Sequence, residues 1–105
     1  MKKAQLLTRT EFREQVLARS QGQCVFCKKA AVDAHHILER RLWNDGGYYL
    51  NNGIAVCEEH HKDCEKTIIS VEEARSAGGI TNIIIPEHLY EDQVYDKWGN
   101  IMTVR

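Results

Sequence analysis

Two short ligand pairs, Cys24-x-x-Cys27 and Cys57-x-x-His60, constrain this chain more than any other feature of its sequence. A Cys-x-x-Cys in a tight turn places two thiolates on one side of a knuckle, the usual half-site for tetrahedral zinc. Joining two such pairs folds the intervening segment back on itself. At 105 residues the chain reads as one domain with room for only a modest core, so a metal staple would help it fold. Cys24, Cys27, Cys57 and His60 form the expected ligand set for a structural Zn2+, and Cys64, one helical turn beyond His60, is a rival for the fourth place. The plainer alternatives are an ordinary zinc finger or four buried thiols.

Hydrophobic residues make up 43% of the sequence and Pro is scarce, which argues for a folded globular chain over a disordered one. The start, Met1-Lys2-Lys3, has the charge of a leader peptide, but Arg9, Glu11, Arg13 and Glu14 interrupt any apolar run behind it. No stretch has the roughly 20 apolar residues of a membrane helix. A cytoplasmic location without membrane contact is therefore expected, and paired cysteines there are more often metal ligands than disulfides. The net charge of −1 fits poorly with bulk electrostatic binding to DNA. Up to Lys66, 11 Lys/Arg stand against 9 Asp/Glu, and beyond it 3 stand against 6. Contact with a polyanion thus falls to the first part of the chain.

The coarse order of elements follows from local pattern. Thr10 to about Ser20 reads as a helix with Phe12, Val16 and Leu17 on one face, started by a capping box at Thr8 and Glu11 or by Thr10 alone. Ala31 to Leu38 suits a short strand, Glu39 to Asn52 a loop anchored by Trp43, Tyr48 and Tyr49, and Gly53 to Val56 a second strand. Glu58 to Lys66 reads as a helix, which puts His61 and Glu65 on one face. Further on, Ser70-Val71-Glu72-Glu73 is a capping box for a helix running to Ala77. Ile83-Ile84-Ile85 reads as a buried run, Pro86 as the start of another helical turn, and Tyr90, Tyr95 and Trp98 as anchors for the tail.

Four candidate ligands, His35, His36, His61 and Glu65, remain outside the zinc set. Adjacent residues on a strand point to opposite faces, so His35 and His36 cannot easily share one role. One can bind a metal with His61 while the other faces a substrate. Two imidazoles and a carboxylate that leave positions open suit a catalytic divalent ion. The bland alternative is that these histidines extend the zinc site or lie idle on the surface.

Taken in order, Phe12-Arg13, Val16-Leu17-x-Arg19, Cys24-x-x-Cys27, Ala34-His35-His36-Ile37, Asn52-Gly53-Ile54-Ala55-Val56-Cys57 and His60-His61 resemble the HNH endonucleases with a zinc-stapled ββα-metal core. The likeness covers residues 10 to 66. It implies an α+β fold: a small ββα-metal (His-Me finger) core with a zinc knuckle pair, an N-terminal helix and a short C-terminal extension. The nuclease domain would span 1–66, and 67–105 would pack on it. The resemblance makes His36 the general base, His35 and His61 ligands of the catalytic ion, Asn52 the residue that braces the loop and orients the base, and Glu65 a third ligand. The cofactors implied are a structural Zn2+ and a catalytic divalent metal (Mg2+, Mn2+, Ni2+ or Zn2+).

The implied reaction is hydrolysis of DNA phosphodiester bonds, with Arg40 and Arg41 just past the first strand as phosphate contacts. His60 replaces the commoner second cysteine of the last knuckle, and the proline often found after the first catalytic histidine is missing. A zinc-stabilised nucleic-acid-binding module without turnover, or an RNA-directed nuclease, are the competing readings. A homodimer or partner protein would turn paired nicks into a double-strand break.

Overall fold

A computed structural model of the chain describes residues 5–66, 68–81, 83–90 and 93–101. Along the chain come helix α1 (Arg9–Arg19), strand β1 (Asp33–His36), strand β2 (Gly53–Val56), helix α2 (Glu58–Glu65) and helix α3 (Val71–Ala77). Two 3-10 turns, Arg40–Leu42 and Leu50–Asn52, punctuate the connection between the strands. The described residues thus form a small α+β fold around a two-stranded antiparallel sheet.

Local chemistry accounts for where the helices begin. Thr8 Oγ1 accepts from the Glu11 amide at 3.1 Å while the Glu11 carboxylate accepts from the Thr8 amide at 2.9 Å, so of the two candidate caps Thr8 is the one used. Ser70 and Glu73 repeat the arrangement at the start of α3, which ends at Ala77 as the sequence leads one to expect. Each reciprocal cap satisfies two amides that a helix start otherwise leaves unpaired.

Strand β1 is shorter than the expected span of Ala31 to Leu38. Its ladder pairs Asp33 with Val56, Ala34 with Ala55, His35 with Ile54 and His36 with Gly53, and there the partner strand runs out. Leu50–Asn52 coils into a 3-10 turn instead, so Ile37 donates to the Asn52 carbonyl at 2.8 Å and Leu38 donates to the Asn52 side chain at 3.1 Å. Those backbone groups are satisfied without a strand, and pairing stops.

The sheet is buried on both faces, and the two-residue period of its strands sorts side chains between them. On one side Ala55 and the α1 residues Phe12 and Val16 form a cluster with Leu7. On the other, Ile54 and Val56 pack with Ile37, Leu38 and Cys64, and with Val71 and Ala74 of α3. Because directly paired residues share a face, His35 lies with Ile54 toward α2, and His36 lies with Gly53 toward α1. The adjacent histidines are therefore split across the sheet. Gly53 is required at its position, since a Cβ there would sit 2.6 Å from Phe12 and 2.7 Å from Val16.

The tail departs from expectation in three places. Ile83 is half exposed and Ile84 and Ile85 are only partly buried, because consecutive residues of an extended surface segment cannot all face one core. Pro86 starts a turn closed by the Leu89 amide on the Pro86 carbonyl at 3.1 Å, and among the described residues no helix follows it. Of the three aromatic anchors only Tyr95 is buried, while Tyr90 and Trp98 are exposed. Trp43, Tyr48 and Tyr49 are each half-buried in the loop between the strands. Among the described residues no helix is long and apolar enough to cross a membrane.

Gly53→Ala is expected to lower the stability of the metal-loaded protein by about 1–3 kcal/mol, the usual cost of overpacking a filled core. The midpoint of urea unfolding checks it.

Candidate metal centres and the histidine cleft

The knuckle at Cys24 is a short hairpin. Gln23 bridges Ala30, the Cys24 amide donates to the Lys29 carbonyl at 2.7 Å, and Lys28 takes a left-handed φ of 64° to close the turn. The second pair sits where β2 ends and α2 begins, with Cys57 at the N-cap position of the helix and His60 one turn inside it. The Val25 amide on the Ala55 carbonyl at 3.0 Å docks the knuckle against β2 and brings the two pairs together.

Cys24, Cys27, Cys57 and His60 offer ligand atoms that all lie within 4.8 Å of one another. Cys27 Sγ is 3.7 Å from Cys57 Sγ, and His60 Nδ1 is 3.2 Å from Cys57 Sγ and 3.6 Å from Cys24 Sγ. A disulfide needs about 2.05 Å between sulfurs, so these thiols are not bonded to each other. Tetrahedral zinc with bonds of about 2.3 Å to sulfur and about 2.05 Å to nitrogen separates two thiolates by about 3.8 Å, and a thiolate from an imidazole by about 3.6 Å. The observed spacings fit that geometry, and the cluster could bind a structural metal such as zinc. A backbone hydrogen bond from His60 is the largest influence holding the Cys57 thiol below its ordinary pKa.

Cys64 has a different environment. It is buried among Ile37, Leu38, Ile54 and Val56 and takes no place in the ligand cluster. Burial, followed by the neighbouring Asp63 charge, pushes its thiol up to about 12, as suits an inert core residue. The rivalry for the fourth ligand position thus resolves geometrically toward His60. Helix periodicity explains it, because residue 64 falls on the core-facing side of α2.

A second cluster forms across the sheet edge. His35, His61 and Glu65 present ligand atoms within 4.8 Å of each other. Glu65 Oε1 is 3.3 Å from His61 Nε2, one turn earlier on α2, and 3.7 Å from His35 Nδ1 on β1. Burial, with the nearby Lys97 charge adding to it, drives His35 down to about 3, which leaves a neutral imidazole with a lone pair free to ligate. Two imidazole nitrogens and one carboxylate oxygen are a donor set that fits a first-row divalent ion.

His36 turns the other way. Its ring stacks on Phe12, centroids 4.6 Å apart, and meets the edge of Tyr48 at 5.1 Å. Burial is the main force lowering it to about 4, against the opposing influence of the Glu39 carboxylate. Its Nε2 is buried and has no hydrogen-bond partner among the described residues. Asn52 is fully buried and holds the loop that follows. Its amide nitrogen donates to the carbonyls of Leu38 at 3.1 Å and Gly47 at 3.3 Å, drawing together the two ends of the segment beside His36.

Both histidines, His61 and Glu65 border one cleft of about 300 Å³. Arg40 lines it, whereas Arg41 does not. Further charged residues at the cleft, Glu39 among them, were not anticipated. Arg9 reaches it from the first turn of α1, Lys97 from the tail, and Asp33 from β1, where its carboxylate lies 3.9 Å from His61 Nδ1. The period of two places Asp33 on the same face as His35, so strand logic could have found it. Lys97 carries no such signal, because its contacts come from chain closure alone.

Compared with protein-family models, curated proteins and solved structures, the chain matches none.

Replacing Cys24 with Ser is expected to abolish zinc retention and unfold much of the domain, since structural zinc binding and folding are coupled. By contrast, Cys64→Ala should keep one zinc per chain while lowering the melting temperature. Metal content by atomic absorption, read beside thermal unfolding, separates the two cysteines.

Proposed function

We propose that this protein is a metal-dependent endonuclease of the HNH type, hydrolysing phosphodiester bonds in DNA. The observation that carries the reading is the convergence of two kinds of group on one cleft. His35, His61 and Glu65 form a ligand cluster on one side of the sheet, and His36 sits on the other as an imidazole outside that cluster. The succession of β1, β2 and α2, with Cys57 at the junction, supports a ββα-metal core.

Each residue then has a physical task. His36 is kept neutral by burial and is able to take a proton from a water attacking phosphorus. Phe12 stacked on its face and Tyr48 at its edge limit the orientations of the ring. Asn52 fixes the loop from Leu38 to Gly47, so that the strand end carrying His36 does not drift. Arg40 and Arg9 supply positive charge along the cleft where a phosphate would lie. A divalent ion bound by His35, His61 and Glu65 would stabilise negative charge on the leaving 3′ oxygen. A water oxygen forms the new bond to phosphorus as its proton passes to His36, the P–O3′ bond breaks, the departing 3′ oxygen takes a proton from solvent, and His36 returns its own proton to solvent.

The near-neutral overall charge fits this assignment in one respect. Arg9 and Arg40 supply local positive charge at the cleft within a chain of net charge −1, so binding should be weak away from the site and sensitive to salt.

Purified protein incubated with supercoiled plasmid and added Mg2+, Mn2+ or Ni2+ is expected to nick it. His36→Ala should lower the rate at least about 100-fold, the low end for a lost general base. Zinc content and melting temperature should stay close to those of the unsubstituted protein. Equal nicking by the two proteins would sink the role given to His36.

A further inference from the structure

Lys97 lies in the segment to which the sequence assigns no chemistry, yet it is one of the most buried charged residues of the molecule, with 6% of its surface exposed. A rigid turn delivers it. Tyr95 bridges Ile101, Asp96 Oδ1 accepts from the amides of both Trp98 and Asn100 at 2.9 Å, and Gly99 closes the turn with a φ of 84°. The Lys97 carbonyl is itself fixed by the Glu39 amide at 2.8 Å. From this turn the ammonium reaches into the cleft and contacts three carboxylate oxygens. It lies 3.1 Å from Glu39 Oε2, 3.2 Å from Glu65 Oε1 and 3.1 Å from Glu65 Oε2.

Glu65 is the carboxylate that stands beside His35 and His61. Both its oxygens are already engaged by a positive charge before any ion arrives. We propose that Lys97 is a resident counter-cation of the His35–His61–Glu65 cluster that holds down its affinity for a divalent ion, which makes the C-terminal turn a working part of the site. This rests on the reading of that cluster as an ion site.

Two effects of Lys97 oppose each other, and their sizes decide the sign. It orients Glu65, which favours ion binding. It also repels a divalent ion, with an energy that scales with the product of the charges and is only partly screened because Lys97 and His35 are buried. The orienting effect is the smaller one, because α2 itself sets Glu65 one turn from His61, where Oε1 lies 3.3 Å from Nε2. Removing the positive charge should therefore tighten ion binding. A residue serving only to pack the tail would do the opposite when lost, since a loosened turn would weaken the cluster.

The test is Mn2+ binding to zinc-loaded protein, followed by the free-ion electron paramagnetic resonance signal. His61→Ala, expected to remove the binding, identifies the site being read. Lys97→Met keeps the apolar stem and removes the charge, and should bind Mn2+ about tenfold more tightly. Lys97→Gln, which can still donate to Glu39 and Glu65, should do the same and serves if the Met variant does not fold. Lys97→Arg should stay within about twofold of the unsubstituted protein, because it keeps the charge. Unchanged or weaker Mn2+ binding in folded neutral variants would overturn the proposal while leaving the ion site standing. If none of the proteins binds Mn2+ beyond the zinc site, the ion-site reading fails and this inference fails with it.

Discussion

The meeting of Cys24 and Cys27 with Cys57 and His60 is the constraint from which the rest of the arrangement follows. Cys57 directly follows β2 and sits at the N-cap of α2, so anchoring it sets where the helix begins relative to the sheet. That start fixes which neighbour of each adjacent pair looks into which cluster. On α2, a rotation of about 100° per residue turns His60 to the cysteines and His61 to the cleft. On β1, the pleat turns His35 toward α2 and His36 toward α1. Two His-His dipeptides are thus divided by two different periodicities, and a one-residue slip of β1 would exchange the faces of its pair.

A domain this small has little core with which to hold polar groups in place. The structure meets this by enclosing them with specific partners. Asn52 is fully buried because its side chain closes three backbone bonds, to Leu38 twice and to Gly47. Lys97 is buried because Glu39 and Glu65 surround its ammonium. Breaking either arrangement would strand a buried polar group, which costs more than the net worth of the bonds that satisfy it. His36 and Trp43 are exceptions, each with one ring nitrogen buried and unpartnered among the described residues, and His36 is the residue to which the proposed chemistry assigns proton transfer.

Much of this was legible in the sequence because the signals were local. The capping boxes at Thr8 and Ser70, the knuckle spacing at Cys24 and Cys57, and the i,i+4 relation of His61 to Glu65 each depend on a few neighbouring residues. The limits of β1 were less legible, because they depend on where its partner strand ends. The burial of the Ile83–Ile85 run was misjudged for a related reason, since apolar composition does not reveal which way an extended segment faces. Choosing His60 over Cys64 required the helix face that docks on the sheet, and the sequence left both open. Lys97 was invisible for a deeper reason. It meets Glu39 and Glu65 only when the tail folds across the cleft, and no period or motif connects positions so far apart.

On the proposed reading, two neighbouring ion sites of different chemistry share this hairpin and helix, one of three thiolates and an imidazole closing the fold and one of two imidazoles and a carboxylate at the cleft. Anomalous diffraction from crystals loaded with Zn2+ and then soaked in Mn2+ tests it most directly. The account predicts a zinc peak enclosed by Cys24, Cys27, Cys57 and His60 and a separate manganese peak beside His35, His61 and Glu65. A single peak at the cysteines, with no manganese in the cleft at any soaking concentration, would contradict it.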